Sequence, residues 1–315
     1  MKVIHKESDI TDYVSTISWK GSRSEVARKL ELQIINAPLD KNISPLNIGL
    51  ADMVYLYDDE NEELFRGYVT DREANSNNGI ITYTAYDLLY YTLKSTATYN
   101  FKDKTAEAIT KAVCNDMEIP VKNLAKTKLK QKLIVQDKSI YKIIMQAYTN
   151  AYEKNDTMYR VCAKKGYLTV EEMGNVVCKI QLTDDTNIIS SKYRESLNNM
   201  VNKVLIYNST GKKVGVVQKK KDLKYGIFQK TYTEESGKNA KETAKSMFNG
   251  VEKTFDLDCI NLNEAVTGSG IIIKDSTTGL SGLVWIDADT HTWKNGVATM
   301  SLTVTLKNMM DAQED

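Results

Sequence analysis

Two histidines, His5 and His291, and four cysteines, Cys114, Cys162, Cys178 and Cys259, are the residues of this 315-residue chain best suited to nucleophilic or metal chemistry. A Ser-His-Asp or Cys-His site needs an imidazole beside a nucleophile and an orienting carboxylate. His5 falls in what reads as a frayed terminus. His291 falls in a loop between strands, flanked by Thr290 and Thr292. Neither is expected to be catalytic. Zinc takes about four N or S ligands at close spacing, and no pair among these six residues is so spaced. The cysteines read as small buried or half-buried residues of a reducing cytosol, where the chain is made. The expectation is no catalytic residue, no cofactor-binding residue, no metal ligand and no cofactor.

Other polar clusters meet the same test. Asp287-Ala288-Asp289 opens like a calcium loop, which requires Gly at its sixth place and Glu at its twelfth. Those places hold Thr292 and Ala298, so the match fails. The acidic run 58–63 could supply paired carboxylates for acid and base work, but adjacent polar residues of this kind suit a solvated hairpin tip. Gly268-Ser269-Gly270 is too short to cradle a phosphate, since no helix begins there. Lys219, Lys220 and Lys221, with Lys212, Lys213 and Lys224, form the one local basic patch. It could meet phosphates. Only Tyr225 is placed to stack on a base, and the patch reads as a solvated hairpin end. Trp19 and Trp293 each precede a strand and read as core anchors.

Composition excludes several classes. Lys plus Arg is 42 and Asp plus Glu is 41, a net charge of +1. That balance gives no global attraction to nucleic acid or to an anionic membrane. The first residues lack the apolar core of a signal peptide. No run approaches the roughly 18 apolar residues that would span a bilayer. A chain of 315 residues exceeds what one core usually holds, so two or three domains are expected.

The elements that must position these residues are mostly strands. Leu30, Leu32 and Ile34 alternate with polar neighbours, the period of a half-buried strand. Val54 and Leu56 alternate with Tyr55 and Tyr57, and Thr82 and Thr84 with Tyr83 and Ala85. Then the period changes. Thr105 caps a helix with Ala106, Ile109, Val113 and Met117 on one face, ended by Ile119-Pro120. A second helix is predicted over 139–153, followed by a hairpin turning at Lys164-Lys165-Gly166. From about residue 176 strands return, with the run 200–207 the clearest. Residues 213–218 are expected to pair with 225–229, and one helix interrupts over 239–249. The tail 311–315 is polar and reads as frayed.

One stretch near the end echoes one near the start. Phe65-Arg66-Gly67-Tyr68-Val69-Thr70-Asp71 is followed by a polar loop and Asn78-Gly79. Gly282-Leu283-Val284-Trp285-Ile286-Asp287 is followed by a polar loop and Asn295-Gly296. A β unit carried twice suggests a duplicated barrel and an assembly part. The echo aligns Gly67 with Gly282 and the two Asn-Gly turns with each other.

Three phrases, in this order along the chain, carry a resemblance. They are Ala85-Tyr86-Asp87-Leu88-Leu89-Tyr90-Tyr91, then Asp222-Leu223-Lys224-Tyr225-Gly226-Ile227-Phe228-Gln229, then Trp285-Ile286-Asp287-Ala288-Asp289-Thr290-His291-Thr292-Trp293. On them the chain resembles the XkdQ/YqbQ-type baseplate hub proteins of contractile phage tails and phage-tail-like bacteriocins, which are similar to the late control gene D hub proteins. The resemblance implies a β-rich α+β fold, with two tube-like β-barrel domains, a small α+β domain between them and a helical insertion. The corresponding boundaries are 1–95 for the first barrel, 96–175 for the α+β domain and 176–310 for the second barrel. The second barrel carries an inserted β/helix subdomain at about 208–250, and 311–315 is the tail. It implies a non-enzymatic hub in the tail baseplate of a virion or bacteriocin particle, made in the bacterial host cytoplasm. That hub is a homotrimer adapting a six-fold tail tube to a three-fold central spike. Its partners would be the tail tube protein, the spike, other baseplate proteins and the tape measure, with no stable nucleic-acid binding and no membrane insertion. The competing readings are a tail-associated cell-wall hydrolase, which needs a Cys/His pair, a zinc cluster or a well-placed Glu, and a nucleic-acid-binding module.

Overall fold

The computed structural model describes residues 1–36, 46–75, 79–237 and 239–313. The chain opens with β1 (Lys2–His5), β2 (Ser8–Asp9), β3 (Val14–Ser22), β4 (Lys29–Ile35), β5 (Met53–Tyr57), β6 (Glu63–Asn75) and β7 (Ile80–Tyr86). Period-2 alternation sets their inner face. Ile17 and Trp19 of β3, Leu30, Leu32 and Ile34 of β4, and Ile81, Tyr83 and Ala85 of β7 are buried in one core. His5 is not frayed. It lies in β1, opposite Val54 of β5, and is buried.

The middle segment holds α1 (Leu89–Lys94), β8 (Thr96–Lys104), α2 (Ala106–Asp116), β9 (Val121–Leu124), β10 (Gln131–Ser139), α3 (Ile140–Asn155), β11 (Tyr159–Lys164) and β12 (Tyr167–Glu172). Thr105 and Ser139 cap α2 and α3 by accepting from the backbone N–H groups of Ala108 and Lys142. Strands β8 and β10 pair with each other, an element the sequence reading does not contain. Ile109, Val113, Ile140, Ile144 and Tyr148 share a core with Leu133, Val161 and Val170. The tail packs on this core instead of fraying. Asp311 accepts from the Tyr141 hydroxyl at 2.7 Å, and Gln313 N–H donates to Thr149 Oγ1 at 3.1 Å. Residues 314–315 lie outside the described residues.

The chain continues through β13 (Leu182–Thr183), β14 (Ile188–Ser196), β15 (Lys203–Tyr207), β16 (Lys213–Gln218), β17 (Gln229–Thr233), α4 (Ala240–Ser246), β18 (Glu252–Ile260), β19 (Gly270–Asp275), β20 (Leu280–Lys294) and β21 (Val297–Thr305). Two compact units result, one of Met1–Ser191 with Asp256–Asp315 and one of Lys192–Phe255. In the smaller unit β15 is central, with β16 antiparallel on one side and β17 parallel on the other. The expected pairing of 213–218 with 225–229 is therefore wrong: both flanking strands use β15. Val204 and Ile206 of β15 are buried with Ala244 of α4, so this strand is not an exposed edge.

The main sheet runs β14-β18-β21-β20-β3-β4-β7-β6-β5-β1-β2, with β19 on the first half of β20 and β13 on β19. Its two halves repeat one order of neighbours. In the first half it is β1-β5-β6-β7-β4-β3, and in the second β13-β19-β20-β21-β18-β14. One difference is that β1 and β5 are antiparallel where β13 and β19 are parallel. Both long hairpins carry a bulge at the same place, Thr70 between Val69 and Asp71, and Asp287 between Ile286 and Ala288. Bulge alignment makes Val284 the counterpart of Gly67, opposing Ile271 as Gly67 opposes Val54. The expected match of Gly67 with Gly282 is thus two residues out. Asn295 and Gly296 have φ of 53° and 76°, as a two-residue hairpin turn between Lys294 and Val297 requires. Asn78 of the other expected turn lies outside the described residues.

Candidate functional site

The second half of β20 is where the two halves of the sheet meet, and β3 is its partner there. Trp19 opposes His291, Lys20 opposes Thr290 and Gly21 opposes Asp289, in an antiparallel ladder. Before its bulge β20 buries the even positions Val284 and Ile286. After it, the odd positions Asp289 and His291 are buried instead. One extra residue shifts the strand's phase and turns an acid and an imidazole into the core.

A buried charge survives only with partners. Asp289 has several. Arg28 Nη1 donates to Asp289 Oδ1 at 3.0 Å and Nη2 donates to Oδ2. Thr267 N–H and Oγ1–H both donate to Oδ1 at 2.6 Å. Burial alone would raise the Asp289 carboxyl. The Arg28 guanidinium and the neighbouring His291 outweigh it and hold the group well below the usual carboxylate range. The Arg28 guanidinium lies 4.0 Å from the Trp19 ring centroid, a cation–π contact. A Cβ on Gly21 would run into that guanidinium, so the glycine in mid-strand marks the close approach. Arg23 Nε donates to Asp287 Oδ1 at 2.6 Å just outside this cluster.

His291 is fully buried within β20, not in a loop as its sequence context suggested. Its Nδ1 lies 2.6 Å from Asn261 Oδ1. Nε2 stands 3.3 Å from Asp289 Oδ2 but lacks hydrogen-bond alignment. Its ring sits between Trp19 and Trp293, with centroids 5.0 Å and 6.1 Å away. Both tryptophans therefore pack around the seam, Trp19 buried and Trp293 at the edge of the core. His5 is elsewhere, with Nε2 2.9 Å from Asp52 Oδ2. Gly49 N–H, Lys6 and His5 together hold the Asp52 carboxyl well below its ordinary value.

The acidic run, the turn at Gly268 and Lys219 make structural contacts. In the acidic run, Asp58 Oδ1 accepts from Glu60 N–H and Glu62 N–H, and Glu63 pairs with Arg66 at 2.7 Å. Gly268 has φ of +83° and abuts Arg160, whose Nη1 donates to Thr267 O at 2.6 Å. Lys220 and Lys221 lie in a 3-10 turn, Lys220–Tyr225, instead of a hairpin end, and Lys219 pairs with Asp222 at 2.9 Å. Burial pushes the thiols of Cys114, Cys162 and Cys259 up to about 12 and that of Cys178 to about 11. A thiol held protonated is a poor nucleophile. Among the described residues no group of three His, Cys, Asp or Glu could hold a metal ion, and no helix is long and apolar enough to cross a membrane.

Sequence reading missed Arg28, Asn261, Thr267 and the burial of Asp289. The available signals were a glycine in mid-strand at Gly21 and the shared parity of Asp289 and His291.

The fold is that of phage tail proteins. The 43 kDa tail protein of prophage MuSo2 from Shewanella oneidensis superposes with a TM-score of 0.75 at 14% identity, over 96% of this chain and 97% of that one. A tail protein from Neisseria meningitidis gives 0.67 at 12% identity, over 96% and 95%. An Escherichia coli type VI secretion component described as similar to the T4 tail proteins gp27 and gp5 gives 0.58 at 9% identity, over 100% and 80%. Among curated sequences, the phage-like element PBSX protein XkdQ of Bacillus subtilis is 25% identical over 94% of this chain and 93% of its own length. The uncharacterized protein YqbQ of the same organism is 27% identical over 96% and 95%. The model of one family matches residues 17–305, nearly the whole sheet from β3 to β21, and the chain belongs to that family, the YQBQ-like proteins.

Proposed function

We propose that this protein is a structural hub in the baseplate of a contractile phage tail or tail-like bacteriocin, adapting a six-fold tail tube to a three-fold central spike. The observation that carries the reading is the repeated strand order, β1-β5-β6-β7-β4-β3 and β13-β19-β20-β21-β18-β14. A three-fold ring offers six similar faces only if each subunit offers two. In this reading residues 1–95 and 176–310 are two tube-like barrels, residues 96–175 are a small α+β domain between them, and about 208–250 is an insertion in the second barrel. The Arg28–Asp289 pair at the β3–β20 seam fixes one barrel to the other within a subunit. The tail tube protein, the spike and other baseplate proteins are its partners, and its place is the particle's tail.

The same reading assigns no catalytic residue. Its histidines are spent on core contacts, with Asp52 for His5 and with Asn261 and two tryptophans for His291. The four thiols are held protonated by burial. Copy number in the intact particle tests the proposal, by imaging or quantitative mass spectrometry. Three copies per baseplate are expected. Six copies, or one, would overturn it, because neither leaves a use for the internal repeat.

A further inference from the structure

The β3–β20 seam joins the first repeat to the second, and the repeat leaves the two equivalent edges on opposite flanks of the chain. The counterpart of β3 is β14, which ends the main sheet and has no neighbour on its far side among the described residues. The counterpart of the second half of β20 is the second half of β6. There β5 has already departed, its last partner being Tyr68, and among the described residues 71–74 pair with β7 alone. Residues 71–75 are all exposed, as are Ile189, Ser190 and the stretch 192–195 of β14. We propose that these edges pair antiparallel between neighbouring copies of this chain, β14 of one copy on β6 of the next, with Arg194 opposite Glu73 and Glu195 opposite Arg72.

The register follows from the internal seam. The two bulges align Thr70 with Asp287, a shift of 287 − 70 = 217 residues from β6 to β20. The β5 and β19 pairings give the same shift, since Met53 opposes Tyr68 and Gly270 opposes Trp285. Across the other strands, Thr16, Gln33 and Thr82 stand side by side in the first repeat. Their counterparts in the second are Ser190, Asp258 and Ser301, with Asp258 accepting from Ser190 at 2.8 Å and from Ser301 at 2.6 Å. Thr16 thus maps to Ser190, a shift of 190 − 16 = 174. The same shift carries Trp19, opposite Leu30, onto Tyr193, which stacks on Phe255 at 4.6 Å. In the seam Lys20 opposes Thr290 and Gly21 opposes Asp289. Transferred by the two shifts, Lys20 becomes Arg194 and Thr290 becomes Glu73, while Gly21 becomes Glu195 and Asp289 becomes Arg72.

That register places two opposite-charge pairs directly across the new ladder, and Tyr193 across from Ala74. Any one-residue slip would break both pairs and turn each strand's faces over. Directly opposed charges of unlike sign stabilise an antiparallel pair, and like charges weaken it. Each copy has one edge of each kind, so the contact is head-to-tail and closes only as a ring of copies. The proposal rests on the hub reading, in which copies stand side by side, but its register is independent of their number. The contrary reading is that charges on both edges serve to keep them unpaired.

The test uses tail particles assembled with the full-length chain carrying Glu73→Cys and Arg194→Cys. Opposed positions of an antiparallel pair have Cβ atoms about 5 Å apart, within reach of a disulfide. Mild oxidation is expected to give covalent multimers of this chain on a non-reducing gel. The same treatment of Glu73→Cys with Ile189→Cys, farther along β14, should give none, nor should either single variant. As a second measurement, Arg194→Glu should lower particle yield by about tenfold and Glu73→Arg in the same chain should restore it. Three copies per particle without the 73–194 link, and without rescue by the charge swap, would overturn the pairing and leave the hub reading intact. A copy count other than three with the link present would overturn the hub reading and leave the pairing intact.

Discussion

Arg28, just before β4 of the first repeat, and Asp289, in β20 of the second, meet across 261 residues of sequence, with Nη1 3.0 Å from Oδ1. Both groups are largely out of water, with 18% of the Arg28 side chain exposed and none of Asp289. The pair is therefore a lock whose two halves cannot be left alone. Without Arg28 the Asp289 carboxylate would keep the Thr267 donors but have neither solvent nor a countercharge beside it.

Replacing Arg28 by Met should lower the stability of the folded chain by about 3–5 kcal/mol, the usual cost of orphaning a buried charge. Adding Asp289→Leu should recover part of the loss, because the orphaned charge is then gone. Recovery stays incomplete, since Thr267 N–H and its hydroxyl lose their acceptor, at a cost of about 1–3 kcal/mol. Urea denaturation midpoints of the single and double variants check this. A double variant less stable than Arg28→Met would contradict it.

Gly67 and its counterpart Val284 differ because their surroundings do. A Cβ on Gly67 would collide with the Phe65 ring and the Tyr86 carbonyl oxygen. The ring could turn aside, but the backbone carbonyl cannot. Gly67→Ala is expected to cost about 1–3 kcal/mol by overpacking, read as a lowered denaturation midpoint with the far-ultraviolet spectrum unchanged. A neutral effect would show that β7 can yield at Tyr86.

Strand β4 was legible because its alternation is strict: Leu30, Leu32 and Ile34 read from sequence as they sit in the core. The helix cap at Thr105 was legible for the same local reason. What sequence could not give was phase after a bulge. The bulge at Asp287 inverts the parity of β20, so Asp289 and His291, polar and apparently looped out, become core residues. The repeat itself was visible as an echo, but matching glycine to glycine set it two residues off, since Gly67 answers a steric need that Val284 does not have. Long-range partners such as Arg28 leave no periodic mark at all. The pairing of β8 with β10 was missed because β10 buries Gln131 while it exposes Ile134, and β8 buries no residue, only half-burying Ala97, Tyr99 and Phe101.

Asp87 should give the protein a pH dependence. It is buried beneath the first residues of α1, accepting from Arg28 N–H at 3.1 Å and Leu89 N–H at 2.9 Å. Burial pushes its carboxyl up to about 7 against the pull of those donors and of Arg28. A raised folded-state value means the folded chain holds a proton that the unfolded chain has released. This group's contribution is fully present below about pH 4, falls as pH rises, and is lost above about pH 7. Asp87→Asn should flatten the stability profile between pH 4 and 7. Denaturation midpoints at those two pH values check it, and an unchanged slope in the variant would contradict it.

The two histidines, similar in sequence terms, should behave differently when removed. His291→Ala empties a fully enclosed position between Trp19 and Trp293 and leaves Asn261 Oδ1 without its partner. A cavity of that kind with a lost hydrogen bond should cost about 2–4 kcal/mol. His5→Ala removes one of three partners of Asp52, which keeps Gly49 N–H at 2.8 Å and Lys6 at 2.9 Å. Its cost should be smaller, about 1–2 kcal/mol, because the buried imidazole is lost but the carboxylate keeps two donors. From sequence context neither is expected to be catalytic, so the comparison separates a fully enclosed imidazole from one whose carboxylate keeps two other donors. Denaturation midpoints of the two variants, measured side by side with the parent chain, decide it. Equal small shifts would mean that the seam closes over the missing imidazole and that Arg28 and Asp289 hold it unaided.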